Sequence, residues 1–312
     1  MELAQEIKYL NEQNTGYVFT SRLSFISKNS IFIAYRFKKS VDEQGKTPFY
    51  AIKPYPYQEE SEKESLDNEY QILQLFSHDT SFISYQSFFD LNFRNKNYRF
   101  MVMEYYEHLD LFDLCVVNKE FVGLSEEKCC IFAYEALKIL KSTKDRQIVH
   151  HDIKLENFLL ISEDPIKIIL TDFEFAEVLT YGTAVNCVGT TYIRAPEVLN
   201  EKPHDTAADI WSLGVALYQL LFTINPFGID SNEESCSEIL NQIYTEPLEN
   251  MGTVSENAWN CVSQMLEVDP DCRISVEDAL RLDWFSGLNE DYIDTKAKIS
   301  AIKTEASNAK KL

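Results

Sequence analysis

The most informative segment of the chain is Val149-His150-His151-Asp152-Ile153-Lys154-Leu155-Glu156-Asn157. It places a carboxylate at Asp152, an amine at Lys154 and an amide at Asn157. Phosphoryl transfer needs a carboxylate beside the acceptor hydroxyl, a cation near the moving phosphate and oxygen ligands for magnesium. Each residue alone would be ordinary in a polar loop, but together their spacing indicates a phosphoryl-transfer site.

A second carboxylate supports this interpretation. Asp172 lies 20 residues after Asp152 and follows the apolar run Ile168-Ile169-Leu170, which is typical of a buried strand. A carboxylate at the end of such a strand is well placed to bind a hard cation. Asp172 is therefore a candidate metal ligand.

The apolar pattern changes along the chain. The first part predicts mainly strands: two joined by a hairpin within residues 22–37, and a third over 49–53 that Pro54 and Pro56 should end. The remainder predicts mainly helices, including an amphipathic helix that begins after an N-cap at Ser125.

Four motifs make the chain resemble the protein kinase family over residues 15–286. His150-His151-Asp152 with Asn157 is similar to the catalytic loop, and Asp172-Phe173-Glu174 is similar to the metal-binding DFG element. Ala51-Ile52-Lys53 resembles the end of the third strand, and Asn68-Glu69-Tyr70-Gln71-Ile72-Leu73 resembles helix C.

The resemblance implies an α+β fold with two lobes. Residues 15–104 would form a small antiparallel sheet with helix C, residues 105–286 a mainly helical lobe, and residues 287–312 a C-terminal tail. The cofactors implied are ATP and Mg²⁺. Asp152 would accept the hydroxyl proton, and Lys154 would neutralise the γ-phosphate. Magnesium would be held by Asn157 and Asp172.

The resemblance also implies the contacts to the nucleotide. Lys53 would hold the α- and β-phosphates, and Glu69 would fix Lys53 by an ion pair; a solvated helix face is the alternative for Glu69. Met103 would be the gatekeeper, although it could equally fill the core. The other predicted contacts are Ile31, Ala51, Glu104, Tyr106 and Leu159.

The second half of the sequence indicates a protein acceptor. Ala195-Pro196-Glu197 and Arg273 resemble the APE element and its buried ion-pair partner, and Asp209 resembles the acid at the start of helix F. Small-molecule kinases generally lack this block. Lys154 and Thr190 match the serine/threonine type.

The sequence departs from the family pattern in three places. Glu174 replaces the glycine of DFG. His151 replaces the arginine that usually pairs with a phosphorylated activation loop, and Asn186 takes the position in that loop where the phosphothreonine often lies. Activity is therefore expected not to depend on that phosphorylation. The positions of the three loop glycines are taken by Ser24, Ile26 and Asn29.

Two functions follow from these observations. The first is transfer of the γ-phosphate of ATP to serine or threonine of protein substrates. The alternative is a pseudokinase, a scaffold or allosteric partner with weak or no catalysis, which the missing glycines and Glu174 favour. Asp110 and Glu156 match positions that attract basic residues of substrates, whereas Gln219 stands where a third acid often helps.

The composition narrows the partners and the compartment. With 29 basic and 50 acidic residues, the net charge of −21 argues against nucleic-acid or anionic-membrane binding. It suits a basic protein partner, but the favoured interpretation is that the charge only supports solubility. Seven scattered cysteines indicate reduced thiols in the cytoplasm or nucleus. No signal peptide or membrane span is expected, and no oligomeric state is indicated.

Overall fold

A computed structural model describes residues 2–13, 15–23, 31–36, 49–58, 60–93, 95–106, 110–163, 165–228 and 235–288. The loop predicted around Ser24, Ile26 and Asn29 lies outside these residues, as does nearly all of the predicted tail. The chain divides into two compact units, Met1–Glu107 and His108–Leu312.

The first unit is built on a five-stranded antiparallel sheet with the strand order β1-β2-β3-β5-β4. Its strands are β1 (Tyr17–Leu23), β2 (Ile31–Arg36), β3 (Phe49–Tyr57), β4 (Tyr85–Phe93) and β5 (Lys96–Glu104), and its helices are α1 (Glu2–Glu12) and α2 (Glu60–Gln74). The sheet and α2 confirm the predicted small antiparallel sheet with one helix.

The third strand is longer than the sequence predicted. Pro54 and Pro56 lie inside β3, opposite Phe100 and Tyr98 of β5. Among the described residues β2 pairs with β3 only as far as Ile52. Proline has no N–H group, and two prolines at alternate positions lack this donor on the same side of the strand. The strand can continue through them because no neighbouring strand in the described part of the chain needs hydrogen bonds from that side. The prediction that β3 ends at residue 53 was wrong.

Helix α1 precedes the predicted kinase-like region and packs on its sheet. Leu10 is fully buried in a core cluster that includes Phe19 and Phe32. The side chain of Asn11 accepts a hydrogen bond from Phe19 N at 2.8 Å and donates to Phe19 O at 3.1 Å. These contacts fix α1 against β1.

The second unit is mainly helical, which confirms the α+β class. Its helices are α3 (Leu111–Leu114), α4 (Glu126–Asp145), α5 (Pro196–Leu199), α6 (Ala207–Phe222), α7 (Cys236–Thr245), α8 (Glu256–Met265) and α9 (Val276–Ala279). Its strands are β6 (Val116–Val117), β7 (Glu120–Phe121), β8 (Ile148–Val149), β9 (Phe158–Glu163), β10 (Ile166–Leu170) and β11 (Glu177–Val178).

The core of the second unit surrounds α6, which is buried along nearly its whole length. Gly214 lets this helix approach α8 closely, because a Cβ there would meet the Met265 Cβ at 2.9 Å. Ser125 caps α4 by accepting a hydrogen bond from Lys128 N, as predicted. Among the described residues, none of the helices has both the length and the apolar character needed to cross a lipid bilayer.

Candidate active site

The loop between β8 and β9 carries Asp152, whose carboxylate is almost completely buried. Its Oδ1 atom accepts a hydrogen bond from Thr190 N at 2.9 Å. Its Oδ2 atom lies 2.7 Å from Lys154 Nζ and 3.0 Å from Asn157 Nδ2. Lys154 Nζ also donates to Thr190 Oγ1 at 2.8 Å. The structure therefore brings the three predicted catalytic residues together, with Thr190 as a fourth member.

The surroundings of Asp152 favour its ionised form. Burial by itself would raise the pKa of this carboxyl, but the charge of Lys154 and the hydrogen bonds from Lys154 and Thr190 lower it further than burial raises it. The net pKa lies below the usual value for aspartate. Asp152 is thus a carboxylate at neutral pH and can accept a proton.

The backbone of this loop is held by Asp209 at the start of α6. The Asp209 carboxylate accepts hydrogen bonds from His150 N at 2.8 Å and from His151 N at 3.0 Å. His151 has a left-handed backbone conformation with φ of 67°, which is uncommon for a residue other than glycine. By these two hydrogen bonds Asp209 fixes the backbone conformation that leads into Asp152. Burial raises the pKa of Asp209 to about 7.

His150 links the Asp152 loop to the segment that carries Asp172. Asp152 N donates to His150 Nδ1 at 3.3 Å, so the proton of a neutral ring lies on Nε2, which then donates to Thr171 O at 3.1 Å. Burial lowers the pKa of His150 and favours this neutral ring. The ring also packs edge-on against Phe173, with centroids 4.7 Å apart.

Gly189 is required where the segment after β11 passes the Asp152 loop. Its φ is +87°, and a Cβ at this position would overlap the carbonyl oxygen of His151. Only glycine allows this approach without strain. The approach places Thr190 N within hydrogen-bonding distance of Asp152.

Asn157 and Asp172 offer ligands that suit Mg²⁺. Asn157 Nδ2 donates to Asp152 O at 2.7 Å and to its carboxylate, which orients the amide group and leaves its oxygen as a ligand atom. Asp172 follows β10 and is half-buried. Among the described residues no cluster of three or more His, Cys, Asp or Glu side chains could hold a metal. One carboxylate and one amide fit a Mg²⁺ ion that takes its other ligands from water and substrate phosphate.

The segment after β11 is fixed by a hydrogen bond from an uncharged amide to the side chain of Glu177. Asn186 Nδ2 donates to Glu177 Oε2 at 2.7 Å, and the same oxygen lies 4.0 Å from His151 Nε2. Burial, followed by the effects of His204 and other neighbouring charges, lowers the pKa of His151 to about 3. His151 is therefore neutral, and Asn186 occupies the predicted phosphothreonine position without any charge.

In the first unit, Lys53 and Glu69 are both buried, which excludes a solvated helix face for Glu69. Tyr55 contacts both side chains. Its hydroxyl donates to Glu69 Oε2 at 2.8 Å, and Lys53 Nζ lies 4.7 Å from the centroid of its ring. The predicted lysine and glutamate are thus held by a tyrosine that the sequence reasoning missed, because it lies beyond the predicted end of the strand.

The other predicted nucleotide contacts are distributed over both units. Ala51 and Met103 are buried partners on adjacent strands, and Ile31 begins β2. Glu104 N donates to Ser84 O at 2.9 Å, so this amide is already occupied and is not available to a base. Tyr106 follows β5 and donates its hydroxyl to Glu104. The sixth residue, Leu159, lies in β9 of the second unit.

The predicted ion pair of the protein-acceptor block is present in the second unit. Arg273 Nη1 and Nη2 donate to the two carboxylate oxygens of Glu197 at 2.6 and 3.0 Å. Arg273 also donates to Ala207 O at 2.9 Å. This buried bidentate pair connects α5 to the start of α6.

Asp110 and Glu156, which belongs to the Asp152 loop itself, form an acidic surface. Burial raises the pKa of Asp110 to about 6, with further contributions from the negative charges of Asp113 and Glu156. Burial also raises the pKa of Glu156. Asp110 caps α3 by accepting a hydrogen bond from Asp113 N at 2.8 Å. A cation placed between these carboxylates would relieve their repulsion.

The chain is similar in sequence to several known proteins. Residues 37–285 match the family model described as protein kinase domain. Calcium/calmodulin-dependent protein kinase type 1 of Caenorhabditis briggsae is 28% identical over 250 residues, and that of Caenorhabditis elegans is 30% identical over 226 residues. Serine/threonine-protein kinase cds1 of Schizosaccharomyces pombe is 35% identical over 205 residues. The alignments cover 80%, 72% and 62% of this chain, and 68%, 63% and 43% of those relatives.

The contact of Tyr55 with Glu69 predicts an effect on ATP use. Tyr55→Phe removes a hydrogen bond to a buried carboxylate but keeps the ring beneath Lys53. We expect KM for ATP to rise about tenfold, as the loss of a hydrogen bond to a charged group implies. Tyr9→Phe is the matched control, because it removes a hydroxyl bond to Asn92 O elsewhere in the same unit. An unchanged KM in Tyr55→Phe would show that Tyr55 only fills space.

Proposed function

Because the chain belongs to the protein kinase family, we propose that it transfers the γ-phosphate of ATP to serine or threonine hydroxyl groups of protein substrates. Protein kinases generally use ATP with Mg²⁺. The relatives named above include a serine/threonine-protein kinase. The observation that carries the proposal is the hydrogen-bonded group of Asp152, Lys154, Asn157 and Thr190.

In the proposed mechanism, Asp152 receives the proton of the acceptor hydroxyl. Its lowered pKa keeps it ionised at neutral pH, and Thr190 N and Lys154 hold its oxygens in place. Lys154 would offset the negative charge that develops on the moving phosphate. When bound, Mg²⁺ would supply further positive charge at the phosphates, with Asn157 and Asp172 as its protein ligands.

We further propose that this activity needs no phosphorylated activation segment. The hydrogen bond between Asn186 and Glu177 joins the segment to β11, which pairs with β8 directly before the Asp152 loop. In this arrangement a hydrogen bond from an uncharged amide to the Glu177 side chain supplies the order that a phosphate and an arginine would otherwise provide. Thr180, Tyr181 and Thr183 are exposed and remain accessible to modification, but no role for them is required.

Substrates with a basic residue near the acceptor suit the acidic surface of Asp110 and Glu156. Tyr192 lies close enough to Glu156 and Asp152 for both charges to act on it, and it hydrogen-bonds Gln219. Glu156 therefore lies close to the catalytic carboxylate, and Asp110 lies close enough to Glu156 for the two charges to interact. A lysine or arginine of the substrate would neutralise two carboxylates whose burial disfavours their charge.

The central experiment measures transfer of labelled γ-phosphate from Mg-ATP to basic protein and to the chain itself. Asp152→Asn should reduce transfer by at least about 100-fold, because it removes the proton acceptor. Asp145→Asn on the exposed end of α4 is the matched control and should retain activity. Equal background for wild type and Asp152→Asn, with both proteins folded, would reject catalysis and favour the pseudokinase alternative.

The raised pKa of Asp110 predicts a pH-dependent preference for basic peptides. Below pH 6 the free protein carries Asp110 mainly protonated, so the attraction for a basic residue is lost as the pH falls. KM for a basic peptide should rise about tenfold between pH 7 and pH 5, whereas KM for a neutral peptide should change less.

The control variant for this pH effect is Asp110→Asn. Asparagine caps a helix as well as aspartate does, so α3 should still begin at the same residue. The variant should show a weaker preference for the basic peptide, and the pH dependence that remains should be smaller, because it then comes from Glu156 alone. A preference that persists at pH 5 in the wild type would contradict the assignment of Asp110.

A further inference from the structure

Arg194 lies in the loop before α5, and within the described residues it has no carboxylate partner. Its Nη2 atom donates to Gly189 O, and its Nη1 atom faces the sulfur atoms of Cys187 at 3.5 Å and Cys236 at 4.0 Å. Its Nε atom is buried and has no hydrogen-bond partner in the part of the chain that the structure describes. Thiol sulfur is a weak acceptor. The guanidinium therefore keeps much of its capacity to bind an anion.

This arrangement differs from that of other arginines in the structure. Arg99 pairs with Asp90, Arg273 with Glu197, and Arg281 with Asp278. Carboxylates are plentiful, because the chain has 50 acidic residues against 29 basic ones. A half-buried guanidinium beside two thiols thus contrasts with these three arginines, and ordinary surface pairing does not explain it.

The position of Arg194 connects it with the catalytic carboxylate. Arg194 bonds the carbonyl group of Gly189, and the next residue, Thr190, donates its N–H to Asp152. A substrate hydroxyl must lie against Asp152 to lose its proton. Residues close to the acceptor in the substrate chain would therefore lie near the loop from Gly189 to Arg194.

We infer that Arg194 receives an anionic side chain of the protein substrate, either a carboxylate or a phosphate, close to the acceptor residue. The inference rests on the proposed kinase activity and concerns the substrates of the same site. A planar guanidinium can bind either anion through two parallel hydrogen bonds. Cys187 and Cys236 are only half-buried, so the incoming anion can replace these thiols at Nη1.

The resulting site has two subsites of opposite charge. Asp110 and Glu156 suit a basic residue of the substrate, whereas Arg194 suits an acidic one. A substrate satisfies both subsites when its basic residue meets the two acids and its acidic residue meets Arg194. A substrate with these two residues exchanged would bring like charges together. The arrangement selects a mixed-charge segment in preference to a uniformly basic one.

The experiment uses a set of peptides with one serine acceptor and a single glutamate moved from three residues before it to three residues after it. A second set carries phosphoserine in place of glutamate, which separates the two anion sources. For the wild type, kcat/KM relative to a peptide with alanine should rise about tenfold at one position, as expected for one charge-assisted contact. Arg194→Leu should bring that ratio close to one.

A charge reversal controls for misfolding. Arg194→Glu should disfavour the acidic peptide and favour a peptide with lysine at the same position, which a merely unfolded protein would not do. Equal ratios for wild type and Arg194→Leu would overturn the inference, as would a ratio in Arg194→Glu that does not reverse.

Binding separates this inference from the proposed activity. The same peptides are measured by fluorescence polarisation on Asp152→Asn, with and without Arg194→Leu. Suppose that the wild type phosphorylates no peptide, but that Asp152→Asn binds the acidic peptide about tenfold more tightly with Arg194 than with Arg194→Leu. The kinase proposal then fails and the anion subsite stands. Equal binding with and without Arg194 rejects the subsite whatever the activity.

Discussion

The arrangement of the candidate active site depends on the carboxylate of Asp209, which accepts the N–H groups of His150 and His151. These two hydrogen bonds hold His151 in its left-handed conformation. That conformation allows Gly189 to pass against the carbonyl of His151 and brings Thr190 to Asp152. The catalytic loop is consequently fixed from the core of its unit, because α6 is buried along nearly its whole length.

Carboxylates of one unit acquire different properties from their surroundings. Burial disfavours the charge of Asp152, Asp110 and Asp209 alike. Asp152 nevertheless has a lowered pKa, because Lys154 and Thr190 compensate it, whereas the pKa of Asp110 is raised to about 6. The first therefore suits proton acceptance at neutral pH. Asp110 suits recognition of a cation, because a bound cation would stabilise the ionised form of this carboxyl group.

The sequence was most informative where chemistry and spacing coincide, as in the Asp152 loop. It was least informative where the outcome depends on contacts distant in the chain. Tyr55 was missed because Pro54 and Pro56 predicted the end of β3. Whether a proline ends a strand depends on which side of the strand is paired, and the sequence does not show this. Arg194 showed no pattern, since its lack of a carboxylate partner is visible only in three dimensions. The burial of Leu10 could not be predicted from the sequence, because it depends on the sheet against which α1 packs.

The dependence of the active site on Asp209 is tested by measuring amide hydrogen exchange at His150 and His151 together with phosphate transfer in Asp209→Asn. Asp205→Asn, an exposed position just before α6, is the matched control. We expect faster exchange of both amides in Asp209→Asn and a fall in phosphate transfer, with the overall fold retained. Full transfer by a protein whose two amides exchange rapidly would contradict this dependence, because the catalytic carboxylate would then not need this support.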